Sequence, residues 1–310
     1  MKKIAYMIAA LPLALFAKSA SADISVSGSA TAAYTDAGGN ASSTMGGGVS
    51  FSMSTTTDGG VSISASSAIG NDSDSVDSGS QVTGVTKLTF GFANGSLSIA
   101  QDIGTPDGVG KVGELVAYAD DNQVAKTAVV GLTEDEGDGV SISTSIGDMS
   151  LTAAYVYDGG GDGNVDGAAN TAAGASISMA MGSGTFTIAS ASEDRNGTNN
   201  QEIGAKYVLS AGGGTLSLGF TGTDGDTVGK EGEAVSAAFS TSMGGADVAI
   251  GYTGHDANSK QSNQTDVTLS SSLGGGASIF AEYTNVSGDI AASSTTKDAT
   301  VIAIGTSVSF

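Results

Sequence analysis

The chain has 310 residues, 48 of them glycine, two proline and none cysteine or tryptophan, with 32 acidic residues against 11 basic ones and a formal net charge of −21. Such acidity excludes nucleic acid as a partner, because nothing here neutralises a row of phosphates, and it favours cations instead. After the amino end no segment reaches the ~18 consecutive apolar residues of a membrane helix, so a membrane-spanning form of this chain has to be a closed barrel.

The first element in chain order reads as a secretory signal peptide over residues 1–22. Lys2 and Lys3 make a basic start, 4–17 is an apolar core interrupted by Pro12, and Ala20-Ser21-Ala22 is a small-x-small cleavage site. Cleavage after Ala22 removes three lysines and leaves one domain, 23–310, more acidic than the whole.

From Asp23 onward a hairpin rhythm sets in. Short glycine-rich turns are predicted at 57–60, 93–95, 147–148, 182–184, 211–214, 243–245 and 273–276. Glycine and Asn-Gly accept the positive φ that tight hairpins need. Runs of period two flank them: Val49, Phe51 and Met53 before the first turn, Val61, Ile63 and Ala65 after it, and later Leu216, Leu218, Phe220 and Val248, Ile250, Tyr252. Longer polar connections lie between, at 37–45, 71–80, 104–137, 158–171, 193–200, 223–231, 255–263 and 286–297. Seven short turns alternating with eight long connections join sixteen strands. Short periplasmic turns and long outer loops are the pattern of a transmembrane barrel.

The aromatic residues sort by strand end. Tyr34, Tyr155, Tyr157, Phe220, Tyr252 and Tyr283 fall toward the long connections, and Phe92, Tyr207 and Phe310 toward the turns. Rings at both water interfaces form two girdles. In the last run, Ile302, Ile304, Val308 and Phe310 share one parity, while Ala303, Gly305, Ser307 and Ser309 share the other. A strand of this kind is safe at a terminus only when it is paired, as ring closure onto the first strand would pair it. The rival reading is a secreted or surface Gly/Asp-rich β-protein, an adhesin or calcium-binding solenoid.

On three stretches the chain resembles the general bacterial outer-membrane porins of sixteen strands, alphaproteobacterial type: Asp23-Ile-Ser-Val-Ser-Gly-Ser-Ala, Val112-Gly-Glu-Leu-Val-Ala-Tyr-Ala-Asp-Asp121, and the terminal Ser-Val-Ser-Phe310. The resemblance implies a homotrimer in outer-membrane lipid that passes small hydrophilic solutes and inorganic ions. It also implies a third loop folded inward to narrow the pore, and a terminal Phe310 used in assembly. The chain departs from the family in having one arginine, Arg195, in the fifth long connection, and hence no basic cluster facing that loop.

On this reading Glu114, Asp120 and Asp121 are the candidates for the pore constriction, an acidic rim that favours cations. Glu134, Asp135 and Glu136 extend it or line the outer mouth. Lys87, Lys206 and Glu282 sit on the parity opposite their apolar neighbours and so face the lumen. Asp162, Asn164 and Asp166 followed by Gly167 resemble the first half of a calcium loop, although Ala173 stands where the closing carboxylate belongs. His255, the one histidine, reads as an exposed loop residue, and no motif fixes a nucleophile beside it, so no enzymatic activity and no other cofactor is expected.

Overall fold

The computed structural model describes residues 23–37, 40–71, 81–82, 86–106, 109–115, 136–157, 171–195, 198–225, 231–257, 260–288 and 299–310. Its strands are β1 (Asp23–Ala37), β2 (Asn40–Thr56), β3 (Ser62–Asn71), β4 (Gln81–Val82), β5 (Lys87–Phe92), β6 (Gly95–Gly104), β7 (Glu136–Ile146), β8 (Met149–Tyr157) and β9 (Thr171–Met181). They continue as β10 (Gly184–Arg195), β11 (Thr198–Ala211), β12 (Gly214–Gly225), β13 (Gly232–Met243), β14 (Ala246–Ala257), β15 (Lys260–Gly274), β16 (Ala277–Gly288) and β17 (Ala299–Ser309). The short β4 and β5 both pair with β3 and form one interrupted stave. Sixteen antiparallel staves therefore make up the single 17-stranded sheet.

The sheet closes on itself. β1 pairs with β17 from Ser29↔Ser309 to Asp36↔Ile302. Phe310 completes the seam, donating its N–H to Gly28 O at 3.0 Å and accepting from Gly28 N at 2.8 Å. A closed ring has no edge strand, and this overturns the solenoid reading.

Hairpin turns form where the sequence allows positive φ on consecutive residues. Gly244 and Gly245, at φ 62° and 88°, join β13 to β14 in two residues. Three of the connections expected to be long are mostly strand. β1 and β2 stay paired to Ala37↔Asn40, β10 and β11 to Arg195↔Thr198, and β14 and β15 to Ala257↔Lys260. Their Ser, Asn and Asp content reads as loop, yet a hairpin rising into water needs only its backbone ladder and no apolar alternation.

The two faces of the ring are inverted relative to a water-soluble protein. The large apolar side chains point outward: Val26, Ile142, Ile146, Val235, Ile250, Ile302 and Ile304 are all about half exposed or more. The inner face is small and hydroxylic, with Ser52, Ser64, Ser98, Ser141 and Thr152 among its residues. Hydroxyls there pair across strands, Thr89 with Ser98 at 2.9 Å and Ser178 with Thr187 at 2.8 Å. Exposed apolar area on this scale needs a non-aqueous surrounding. The rings expected at the interfaces point outward too, Tyr34, Tyr155, Tyr252 and Phe310 among them.

Candidate functional site

A bulge opens the route into the lumen. On β6 the register slips between Ala100 and Ile103, where one extra residue is inserted against β7. A bulge of this kind re-aims the side chains beyond it. Ile103 and Thr105 turn inward and are buried, at 4% and 8% exposure. Ile103 joins Ala100, Ala154, Val156 and Ala172 in a small apolar cluster on the inner wall. This cluster roots the third connection.

From there the chain runs across the staves along a track of inward glycines. Pro106 lies against Gly174 of β9, Val109 against Gly204 of β11, Gly110 against Gly219 of β12, and Gly113 against Gly251 of β14. A Cβ on Gly219 or Gly251 would run into the carbonyl oxygen of Gly110 or Gly113. Close backbone approach is the physical reason for glycine at these places. The same holds from the loop side, where a Cβ on Gly110 or Gly113 would meet the carbonyls of Phe220 or Tyr252.

Polar anchors hold this strap. The Ser236 hydroxyl donates to Gly110 O and accepts from Val112 N at 3.0 Å. Asp266, fully buried, accepts from Leu115 N at 2.8 Å. It also accepts from Thr284 Oγ1 at 2.6 Å and from Gln264 Nε2 at 3.0 Å. A buried carboxylate with this many donors is satisfied in place of water. Neither Ser236 nor Asp266 was singled out by sequence. Asp266 carried one signal, a charge on the inward parity of a strand whose outward neighbours are Val267 and Leu269.

Glu114 follows Gly113 on the strap, one-third exposed toward the lumen, with Oε1 3.4 Å from His255 Nε2. His255 is therefore not an exposed loop residue. It stands near the end of β14 on the inward face, buried at 3% exposure, because the strand continues through 255–257. Lys206 lies inward on β11, in register with Thr187 and Gly219, on the stretch of wall the strap crosses. Glu282 lies inward on β16, buried and in register with Thr268 and Ala303. Lys87 lies on β5, in register with Ser66 and Ala100, on the far side of the ring from Ser236. Further inward acids are Glu193, which accepts from Asn200 Nδ2 at 2.7 Å, Glu202 and Asp247. Arg195 is the last residue of β10. Asp120, Asp121, Glu134, Asp135 and the calcium candidates Asp162, Asn164 and Asp166 lie outside the described residues, as does the expected leader 1–22.

The described residues of the strap, 106 and 109–115, reach the inner wall from β9 to β15. The wall from β16 through β17 and β1 to β5 stays uncovered by it. That wall is lined mainly by Ser, Thr, Ala and Gly, with Lys87 and Glu282 among its charged groups. The strap, which carries Glu114 and Lys111, bounds the passage on one side, and the hydroxyl wall bounds it on the other.

A family model described as Gram-negative porin matches residues 9–291. Among solved structures, a loop-deletion mutant of the outer membrane protein OmpT of Vibrio cholerae superposes with a TM-score of 0.72 at 12% identity, covering 93% of this chain and 99% of that one. The anion-selective porin from Comamonas acidovorans gives 0.68 at 15% identity, covering 94% and 100%. A mutant of the Rh. blastica porin gives 0.67 at 14% identity, covering 93% and 100%. At these identities the superpositions speak for the fold alone. A comparison with curated protein sequences gives no match.

Proposed function

The chain belongs to the Gram-negative porin family and sits in the outer membrane, and on that premise we propose that it is a cation-preferring diffusion channel for small hydrophilic solutes and ions, working as a homotrimer. The fold does not set the sign of selectivity, since the Comamonas acidovorans porin is described as anion-selective. The sign has to come from this chain's own charges. The observation that carries the reading is Glu114, brought into the lumen by a strap pinned to the wall, facing a hydroxyl wall whose described basic residue is Lys87. Glu193, Glu202, Asp247 and Glu282 add negative charge to the lining against Lys206 and the strap's own Lys111, which leaves the described lining with more acids than bases. In a narrow passage an excess of fixed negative charge raises the local cation concentration. Asp120 and Asp121 strengthen the same rim on this reading, and 1–22 is the cleaved leader that exports the chain.

Planar-bilayer recording under a KCl gradient tests the proposal. Ohmic steps with a reversal potential on the K⁺ side are expected. Reversal on the Cl⁻ side keeps the channel and rejects the account of its selectivity. Trimerisation is checked separately by the mass of the detergent-solubilised complex.

A further inference from the structure

Near the strap Ser236 and Asp266 are satisfied, but the hydroxyls of Thr221 and Thr253 and both ring nitrogens of His255 are buried without a hydrogen bond. The His255 ring is almost fully buried. Nε2 points at Glu114 Oε1 from 3.4 Å, beyond the ~2.7–2.9 Å of a charge-assisted hydrogen bond. The spacing fits a different arrangement. Two ligand atoms each about 2.0–2.1 Å from a tetrahedral Zn²⁺ stand about 3.3 Å from one another. Ser262, directly opposite His255 in register, adds a fully buried hydroxyl that is also unpartnered. Unsatisfied buried groups clustered in this way are explained by an ion or water between them.

We propose that His255 Nε2 and the Glu114 carboxylate bind a divalent transition-metal ion between strap and wall, with Ser262 placed to hold a metal-bound water. Imidazole with carboxylate suits Zn²⁺, Cu²⁺ or Ni²⁺ over Mg²⁺ or Ca²⁺. The way in is through the lumen, where Glu114 is one-third exposed. With two protein ligands, and no cluster of three or more His, Cys, Asp or Glu among the described residues, binding is reversible and exchangeable. The chain has one histidine and no cysteine, so a nitrogen-ligated site can form at His255 alone.

Zn²⁺ titrated calorimetrically into the detergent-solubilised full chain tests this whether or not the barrel conducts. One site per chain is expected, weakened about tenfold or more in both His255→Gln and Glu114→Gln and unmatched by Mg²⁺. Identical Zn²⁺ binding in wild type and His255→Gln, or equal Zn²⁺ and Mg²⁺ isotherms, would overturn the site in favour of loose carboxylate binding. Should the variants fail to give a heat-modifiable folded band, Cu²⁺ on the wild type decides. An EPR spectrum split by one imidazole nitrogen upholds the site, and an all-oxygen spectrum removes it.

Discussion

The backbone N–H of Leu115 donates to Asp266 Oδ2 at 2.8 Å across 151 residues of sequence. That one bond ties the strap to β15, and the same carboxylate holds Thr284 of β16. In Asp266→Asn at least one of these donors loses its acceptor, at a cost of about 1–3 kcal/mol. The strap should then fluctuate, and open-channel current noise should rise. Noise equal to wild type would show that the Ser236 contacts suffice to hold it.

Gly251→Val should displace the strap, because its Cβ would meet Gly113 O. Overpacking of this kind costs about 1–3 kcal/mol. Gly222→Ala is the matched control, since its nearest foreign atom is a Phe220 ring carbon at 3.4 Å. Single-channel conductance should change in the first variant and stay at the wild-type value in the second. Equal conductance in all three proteins would mean that strap position does not limit the current.

Glu114→Gln should lower the K⁺ over Cl⁻ permeability ratio. A unit charge ~10 Å from an ion in a water-like lumen is worth about 0.4 kcal/mol, roughly a factor of two. Adding Asp120→Asn and Asp121→Asn should lower the ratio further. An unchanged reversal potential in the triple variant would reject these carboxylates as the selectivity element.

Gly28→Val should impair ring closure. A Cβ at Gly28 would lie 2.5 Å from the Phe310 ring. Removing Phe310 goes further, taking away the ring and both backbone bonds to Gly28, each worth about 1 kcal/mol. Both variants should shift from folded to unfolded mobility on a gel at lower temperature than wild type. Equal transition temperatures would make the β1–β17 seam self-sufficient without its last residue.

The barrel was legible because its two signals are local. Gly244-Gly245 declares a turn by itself, and the alternation of Val248, Ile250 and Tyr252 declares a half-apolar strand beside it. The inner wall was legible only as a parity. Lys206 and Glu282 were placed on the inward face without any sign of what stands opposite them. His255 was misread because its surroundings, Asp256, Asn258 and Ser259, look like loop. The strand's inward face there is buried, but by polar residues, His255 opposite Ser262 and Thr253 opposite Gln264, so the alternation carries no apolar mark. Asp266 and Ser236 escaped for another reason, as their partners are backbone atoms of a segment 151 and 124 residues away.

Those separations also set an order of assembly. β-hairpins between neighbouring staves close over short stretches of chain, but the strap has nothing to sit on until β12, β14 and β15 have joined the sheet. Contacts of such range form late, because their loop-closure entropy must be met first. By the same measure the β1–β17 seam, whose partners stand further apart in sequence still, is later again, so the strap is expected to settle on the inner wall before the ring closes.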